Sequence, residues 1–246
     1  MNLDHQQAIA LVQKLAWTLN DANHDFSKTE VAVFPPFTDL RTVQTLIDAE
    51  KFQIRLGAQD LSQHESGAYT GEISGAFLKK LDVKYVIVGH SERRMYHHED
   101  DELIQAKVAA AFKQDLVPVI CVGETLEQLE QFGQSAIPVQ QLKKAISGHK
   151  QVGEFIVAYE PVWAIGVAAP ADSGYINAVC SKIKEFATQI GSTNLQILYG
   201  GSANQGLFEK IAQSVDGLFL GRSAHDVQNL KKIVQEVESV ALELAK

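Results

Sequence analysis

The chain has 246 residues, of which 46% are hydrophobic and 21% are charged, and its formal net charge is −8 at pH 7. This length suits one large α/β barrel or two small domains, and the apolar residues fall into short runs rather than a stretch long enough to span a bilayer. The negative charge argues against nucleic acid and anionic membranes as partners, because both would be repelled. Any anionic substrate must be held by local hydrogen-bond donors.

The cysteines and the first residues indicate a cytoplasmic protein. Cys121 and Cys180 are the only two cysteines, and their contexts indicate neither a disulfide framework nor a CxxC metal site. The opening residues MNLDHQQ are polar, whereas a secretory signal has a basic start and an apolar core. We therefore expect a cytoplasmic location and reduced cysteines.

Amphipathic helices open and close the chain. Asp4 and Gln7 have the spacing of a capping box, which predicts a helix beginning just after Asp4. Apolar residues at helical spacing form one stripe in the opening segment, at Ala8, Leu11, Val12, Leu15, Ala16 and Leu19. A similar stripe closes the chain, at Val227, Leu230, Val234, Val237, Ala241 and Leu244.

Seven short apolar runs lie between the helical patterns and predict strands. They cover residues 31–35, 54–59, 85–90, 117–123, 155–160, 195–200 and 217–221. Their near-continuous hydrophobicity is typical of parallel strands buried on both faces. Strand and helix alternate without a linker, which predicts one α/β domain over residues 1–246, built as a parallel barrel.

The alternation contains seven strands, whereas eight βα units close a barrel. Without a first strand, the runs at residues 31–35 and 217–221 would each leave an apolar edge unpaired. Two interpretations remain open: a strand upstream of Met1, or an open barrel.

Polar residues at the C-terminal ends of the strands are the candidate catalytic groups, because barrel active sites form there. Glu160 follows five apolar residues and precedes Pro161, and such apolar cover suits a general base working near neutral pH. His90 ends another run and is suited to polarising a carbonyl or moving a proton. The alternatives are a Glu160 paired with an arginine and a purely structural His90.

Glycines follow the last two strands. Gly200, Gly201 and Gly221 leave room for backbone N–H groups to approach an oxyanion, although tight turns would explain the same residues. Barrels often hold phosphate at this position, which favours anion binding.

Five segments resemble the triosephosphate isomerase family, in order and at appropriate separations: GAQDLSQHESGAYTGEIS, VGHSERR, PVICVGE, AYEPVWAIG and LYGGS. The resemblance extends over essentially the whole chain and implies a (β/α)8 TIM barrel. It implies that Glu160 moves a proton between adjacent carbons of dihydroxyacetone phosphate while His90 stabilises the enediolate. No metal or organic cofactor is then required.

The resemblance also assigns binding, lid and interface residues. The residues matching phosphate donors, together with the glycine pair, are Gly166, Ser202, Gly221, Arg222 and Gly201. Residues 161–171 match the lid, which includes Pro161 and Trp163, and Tyr199 and Ser202 match residues that hold it closed. Residues 59–74 match a loop that enters the neighbouring subunit of a homodimer, where Thr70 would approach the other active site and Glu72 would meet Arg93.

Three departures from the family pattern are visible. An Asn-Trp-Lys sequence precedes the family's Met-Asn pair, and this chain starts at Met1, so we expect the chain as written to be nearly inactive and the functional product to begin upstream. Residues 167–172 of the lid differ from the usual sequence, and Pro170 there suggests altered closure. Arg222 replaces a usual glycine, and either its guanidinium clamps phosphate or it faces solvent.

The departures leave two alternatives to a triose phosphate isomerase. Arg222 and the altered lid also resemble barrel isomerases of four-carbon ketose phosphates such as erythrulose phosphate. A non-catalytic phosphosugar-binding protein without the lysine is the other alternative. The presence of both Glu160 and His90 argues against a binder, which needs neither a base nor an electrophile.

Overall fold

The computed structural model describes residues 2–148, 153–192 and 195–244. The sequence predicts a strand upstream of Met1, and Met1 lies outside these ranges. The elements are α1 His5–Asp21, β1 Ala32–Val33, α2 Leu40–Glu50, β2 Arg55–Ala58, α3 Gly75–Lys79, β3 Tyr85–Val88, α4 Ser91–Tyr96, α5 Asp101–Lys113, β4 Val117–Val122, α6 Leu126–Phe132, α7 Ala136–Ala145, β5 Ile156–Tyr159, α8 Ser173–Gln189, β6 Gln196–Tyr199, α9 Phe208–Ile211, β7 Gly217–Leu218 and α10 Val227–Leu244, with 3-10 helices at Val162–Ala164 and Arg222–His225. Within these ranges no helix combines the length and apolar composition needed to cross a membrane.

The strands form one parallel sheet in the order β1-β2-β3-β4-β5-β6-β7, which confirms the predicted fold class. The central pairs are the longest, for example Tyr85↔Val117 through Val88↔Ile120 between β3 and β4. All seven predicted runs contain a strand, but most predicted boundaries were too wide. The regular strands end before His90, Glu160 and Gly221, because the chain turns there into the loops that carry these residues.

The sheet has seven strands within the described ranges, and β1 and β7 are its edges. Phe34, directly after β1, and Phe219, directly after β7, approach edge to face with 6.5 Å between ring centroids. Outside the sheet, Leu15 and Leu19 of α1 share a buried cluster with Leu230 of α10. Side chains and helices therefore bring the two edges of the sheet towards each other.

Alternate residues of each central strand face opposite sides. Ile87 of β3 and Cys121 of β4 belong to the cluster on the inner side of the curved sheet. Val88 and Val122, the next residues along, belong to the core shared with the helices. Burial on both faces explains why the runs are continuously apolar in sequence.

The helix predictions hold at the start of the chain and partly at its end. Asp4 caps α1 as a capping box, since Gln7 N donates to Asp4 Oδ1 at 2.9 Å and Asp4 N donates to Gln7 Oε1 at 2.9 Å. The closing stripe was predicted too long. Leu230 and Val234 are buried, but Ala241 and Leu244 are exposed because α10 continues past its last buried residues.

Candidate active site

Glu160 and His90 come together at the C-terminal ends of two strands. Glu160 directly follows β5, and its N–H donates to Val122 O at 2.8 Å, which extends the pairing with β4 by one residue. His90 lies just beyond β3, as the N-cap residue of α4. Because parallel strands end at the same edge of a sheet, the two side chains converge. His90 Nε2 lies 3.4 Å from Glu160 Oε1.

The carboxyl group of Glu160 is enclosed but only partly bonded. The residue is 5% exposed, and within the described residues its Oε2 has no hydrogen-bond partner. Gly200 supplies the space, because a β-carbon there would stand 2.7 Å from Glu160 Cγ and 2.9 Å from Oε1. Burial raises the pKa of the Cys121 thiol well above its ordinary value, and the charge of Glu160 raises it further. Glu160 is thus held with one oxygen free to accept a proton.

The hydrogen bonds of His90 define its tautomer. Its Nδ1 accepts a hydrogen bond from Glu92 N at 3.3 Å, so in a neutral ring the proton is on Nε2, facing Glu160. Burial lowers the pKa of His90, but the hydrogen bond and charge of Glu160 together outweigh burial and raise the pKa above its ordinary value. An Nε2–H donor is therefore directed at the Glu160 carboxylate.

The segment at residues 161–171 folds down over this end of the sheet and is tied at both ends and near its middle. At its start, Trp163 Nε1 donates to Glu124 Oε1 at 3.1 Å. Near the middle, Ser202 Oγ donates to Val167 O at 2.9 Å. At its end, Ala171 N donates to the hydroxyl of Tyr199 at 3.1 Å. The segment is therefore attached to the ends of the strands and their loops at three points.

Comparisons with known proteins agree with this arrangement. A family model described as triosephosphate isomerase matches residues 1–237. The chain is 50% identical over 241 residues to the triosephosphate isomerase of Leifsonia xyli subsp. xyli, which covers 96% of this chain and 93% of that protein. It is also 50% identical over 234 residues to the triosephosphate isomerase of Mycobacterium ulcerans, which covers 92% of this chain and 89% of that protein.

The chain belongs to the triosephosphate isomerase family. This membership confirms the resemblance carried by the five motifs. The matched region includes every residue that the motifs assigned to catalysis, to phosphate, to the lid and to the subunit interface. Those residue roles remain predictions, and the geometry states where each side chain lies.

Sequence reasoning does not identify Glu124 as a candidate site residue, although Glu124 lies in the PVICVGE motif of the family. It is completely buried and accepts hydrogen bonds from Tyr159, Trp163 and Tyr175 at 3.1, 3.1 and 2.7 Å. Burial, followed by the charge of Glu124, raises the pKa of Tyr159. The sequence feature that could have identified Glu124 is a carboxylate shortly after an apolar run, which is the feature that identifies Glu160. Across the described residues no group of three or more His, Cys, Asp and Glu is placed to hold a metal ion.

The residues that the family resemblance assigned to phosphate lie around the lid. Gly166 has a φ of 72° and Ser202 a φ of 48°, both in the left-handed region. Gly221 and Arg222 are exposed, and Arg222 Nη2 lies 3.8 Å from the place a β-carbon on Gly166 would occupy. The space at Gly201 is used within the chain, because a β-carbon there would meet the Tyr199 hydroxyl at 2.5 Å.

The predicted dimer loop at residues 59–74 has a buried base and an exposed tip at residues 65–72. Its base is closed by a hydrogen bond from Ser62 N to Ile73 O at 2.8 Å, and Thr70 and Glu72 at its tip are exposed. Arg93, assigned to Glu72 of a neighbouring subunit, is bonded within its own chain, with Nε 2.6 Å from Glu99 Oε1. A hydrogen bond from Arg93 to Glu72 of a neighbouring subunit would use the other N–H donors of the Arg93 guanidinium.

Proposed function

We propose that the protein is an enzyme that interconverts dihydroxyacetone phosphate and glyceraldehyde 3-phosphate. The observation that supports this most directly is the carboxylate of Glu160, enclosed under the lid with a free Oε2 and with Oε1 3.4 Å from His90 Nε2. A base and a hydrogen-bond donor at this separation suit proton abstraction beside a carbonyl. The names of the relatives at about half identity favour the triose phosphate over the tetrulose phosphate alternative.

The reaction balances with these two side chains alone. Glu160 takes a proton from the carbon beside the carbonyl, and the released electron pair forms the carbon–carbon double bond of an enediolate. The carbonyl oxygen becomes an oxyanion, which the Nε2–H of His90 stabilises by donating a hydrogen bond. The hydroxyl proton on the first carbon passes to this oxyanion by way of His90 Nε2, and Glu160 returns its own proton to the former carbonyl carbon, so that the carbonyl group now lies on the first carbon. Substrate and product have the same composition, so the reaction consumes no electron carrier.

The lid would protect this intermediate. Residues 161–171 exclude water when closed, and an enediolate phosphate exposed to water loses its phosphate. In this proposal Gly166, Ser202, Gly221, Arg222 and Gly201 surround the phosphate and provide backbone donors. Tyr199 and Ser202 hold the lid, consistent with their contacts to Ala171 N and Val167 O.

A homodimer is the proposed assembly, acting in glycolysis and gluconeogenesis in the cytoplasm, with residues 1–246 in one domain. The exposed tip of residues 59–74 carries Tyr69, which is 44% exposed and stacks on His64 at 3.7 Å. Phe77 and Tyr96, on helices that follow the neighbouring strands β2 and β3, are 58% and 70% exposed. Exposed aromatic side chains on adjacent elements are typical of a surface that binds another protein.

Isomerase activity tests the function. Prepared with the residues that the family pattern places before Met1, the protein is expected to convert glyceraldehyde 3-phosphate faster than it converts erythrulose 1-phosphate, and to exchange substrate carbon-bound hydrogen with D₂O. Glu160→Gln is expected to reduce kcat by about 10²- to 10⁴-fold, the usual contribution of a general base. A folded wild-type chain that binds the phosphosugar without exchange would support the binding-protein alternative instead, and faster turnover of erythrulose 1-phosphate would support the tetrulose one.

Sedimentation velocity tests the assembly. The wild-type chain is expected to sediment as a dimer and Tyr69→Asp as a monomer, because a charge would then lie in the apolar contact. Trp17→Asp is the matched control, since Trp17 is a similarly exposed aromatic on α1. A monomeric wild-type chain, or a dimer unaffected by Tyr69→Asp, contradicts this interface.

A further inference from the structure

The backbone N–H of Gly123, just after β4, has no backbone acceptor within the described part of the chain. Hydrogen bonds from β4 to β3 advance two residues at a time, beginning with Val117 N, which donates to Lys84 O at 2.9 Å. Continued along the strands, this pattern would bring Gly123 N to His90 O. The His90 carbonyl instead accepts from Arg93 N at 2.8 Å, because His90 leaves the sheet as the N-cap of α4. Gly123 N therefore needs another acceptor.

Gln141 of α7 supplies that acceptor. Its Oε1 accepts a hydrogen bond from Gly123 N at 2.8 Å. Gln141 is 8% exposed, so its side chain is packed between α7 and the end of the sheet rather than solvated. A neutral amide satisfies the N–H without adding a charge beside the buried carboxylates of Glu124 and Glu160.

Gly123 in turn lies against the main chain of Glu160. A β-carbon on Gly123 would stand 1.9 Å from Glu160 O, so the Glu160 carbonyl occupies the space that a side chain would need. On either side of Gly123, Val122 O accepts from Glu160 N at 2.8 Å and Glu124 O accepts from Val162 N at 2.9 Å. A displacement of Gly123 is therefore passed directly to the backbone that carries the Glu160 carboxylate.

We infer that Gln141 is a positioning residue for the proton transfer, acting through Gly123 on Glu160. It fixes the end of β4 at the point where His90 leaves the sheet, and it thereby maintains the 3.4 Å separation between His90 Nε2 and Glu160 Oε1. Gln141 lies on α7, so its effect on the reaction is indirect. This inference rests on the proposed function, because it takes Glu160 to be the base.

Gln141→Met tests the inference, because methionine has a similar length but only a weak acceptor. Val122 and Glu124 keep their bonds to residues 160–162, so Glu160 should move by well under 1 Å and kcat should fall about 10-fold, against about 10² for a full 1 Å. Calorimetric binding of glycerol 3-phosphate, a phosphate ester without a carbonyl, should stay within about twofold of the wild type, because it does not depend on the base. A partly unfolded variant would lose both.

Hydrogen exchange of the Gly123 amide, followed by NMR on protein with labelled glycine, tests the hydrogen bond without using activity. Exchange should be about 10-fold faster in Gln141→Met, which corresponds to the loss of about one hydrogen bond. Gln141→Glu keeps an acceptor oxygen, and Lys143 and Lys144 line the same cavity, so this variant should restore slow exchange and most of kcat. Gln140→Met, at the exposed preceding position of α7, is the matched control and should behave as the wild type does.

All of these proteins are prepared with the same residues before Met1 as in the isomerase assay. Wild-type kcat in Gln141→Met, or unchanged exchange at Gly123, overturns the inference. Equal losses of kcat and of glycerol 3-phosphate binding also overturn it, because that pattern indicates a purely structural role. Failure of the proposed function is recognised separately, by a folded wild type that binds glycerol 3-phosphate but has no turnover, and the catalytic role of Gln141 then fails with it.

Discussion

Gly200→Ala should inactivate the enzyme while leaving the fold intact. The added β-carbon would stand 2.7 Å from Glu160 Cγ, whereas ordinary van der Waals contact begins at 3.4 Å, so the Glu160 side chain must move by about 0.7 Å. Gly200 has no positive φ, so alanine causes no backbone strain there. A displacement approaching 1 Å in a reacting group costs on the order of 10² in rate. We therefore expect kcat to fall about 100-fold.

The assay is steady-state isomerisation of glyceraldehyde 3-phosphate, with thermal unfolding measured in parallel. Destabilisation by Gly200→Ala should stay within about 1–3 kcal/mol, the usual range for overpacking. Gly75→Ala is the matched control, because its β-carbon would meet the flexible Gln114 side chain at 3.1 Å and no catalytic group. A Gly200→Ala enzyme that keeps more than half of the wild-type kcat would show that the position of Glu160 does not depend on Gly200.

Three further predictions concern the lid and the acid-base pair. Glu124→Leu should destabilise the fold by about 1–3 kcal/mol and slow turnover, because the buried donors that Glu124 Oε1 now satisfies, including Trp163 Nε1, would lose their acceptor; thermal unfolding and kcat measure this. Ser202→Ala should raise KM about fivefold, the equivalent of about 1 kcal/mol for one neutral hydrogen bond to the lid. The raised pKa of His90 means that its charged form stabilises the pair with Glu160 at low pH, and that this stabilisation is lost as pH rises through the pKa of His90 in the folded protein. Glu160→Gln should lower the pKa of His90, as measured by NMR titration. An unchanged pKa contradicts the pairing.

The central strands could be predicted from sequence because burial on both faces leaves a continuous apolar run. The prediction was least accurate at the edges. β1 and β7 are two residues long, against five residues predicted for each, because each pairs with one neighbour only. Which strands pair with each other is decided in the assembled sheet, and a local sequence pattern does not indicate it. The same limit applies to Leu244, which is apolar and belongs to the helical stripe but is 61% exposed.

The proximity of Glu160 and His90 could be predicted because the sequence indicates where each strand ends, and parallel strands end at the same edge of a sheet. Glu160 and His90 end separate apolar runs, and the topology brings them within 3.4 Å of each other. The partners of Arg93 could not be predicted in the same way. Its contact with Glu99 depends on how the helices after β3 pack, and the expected contact with Glu72 of a neighbouring subunit requires an assembly that one chain does not contain.

Two buried carboxylates lie at neighbouring strand ends, and only their hydrogen bonds distinguish a structural carboxylate from a candidate catalytic one. Glu124 and Glu160 both follow apolar strands and both are almost completely buried. In the part of the chain that the structure describes, Glu124 forms no ion pair, but three neutral donors satisfy its buried carboxylate, and one of them, Trp163, lies at the start of the segment 161–171. Among the described residues, Glu160 has His90 Nε2 near one carboxylate oxygen and no hydrogen-bond partner within geometric range for the other. A buried oxygen left without a partner costs stability, so a function that uses it, namely accepting a proton from the substrate, explains its persistence.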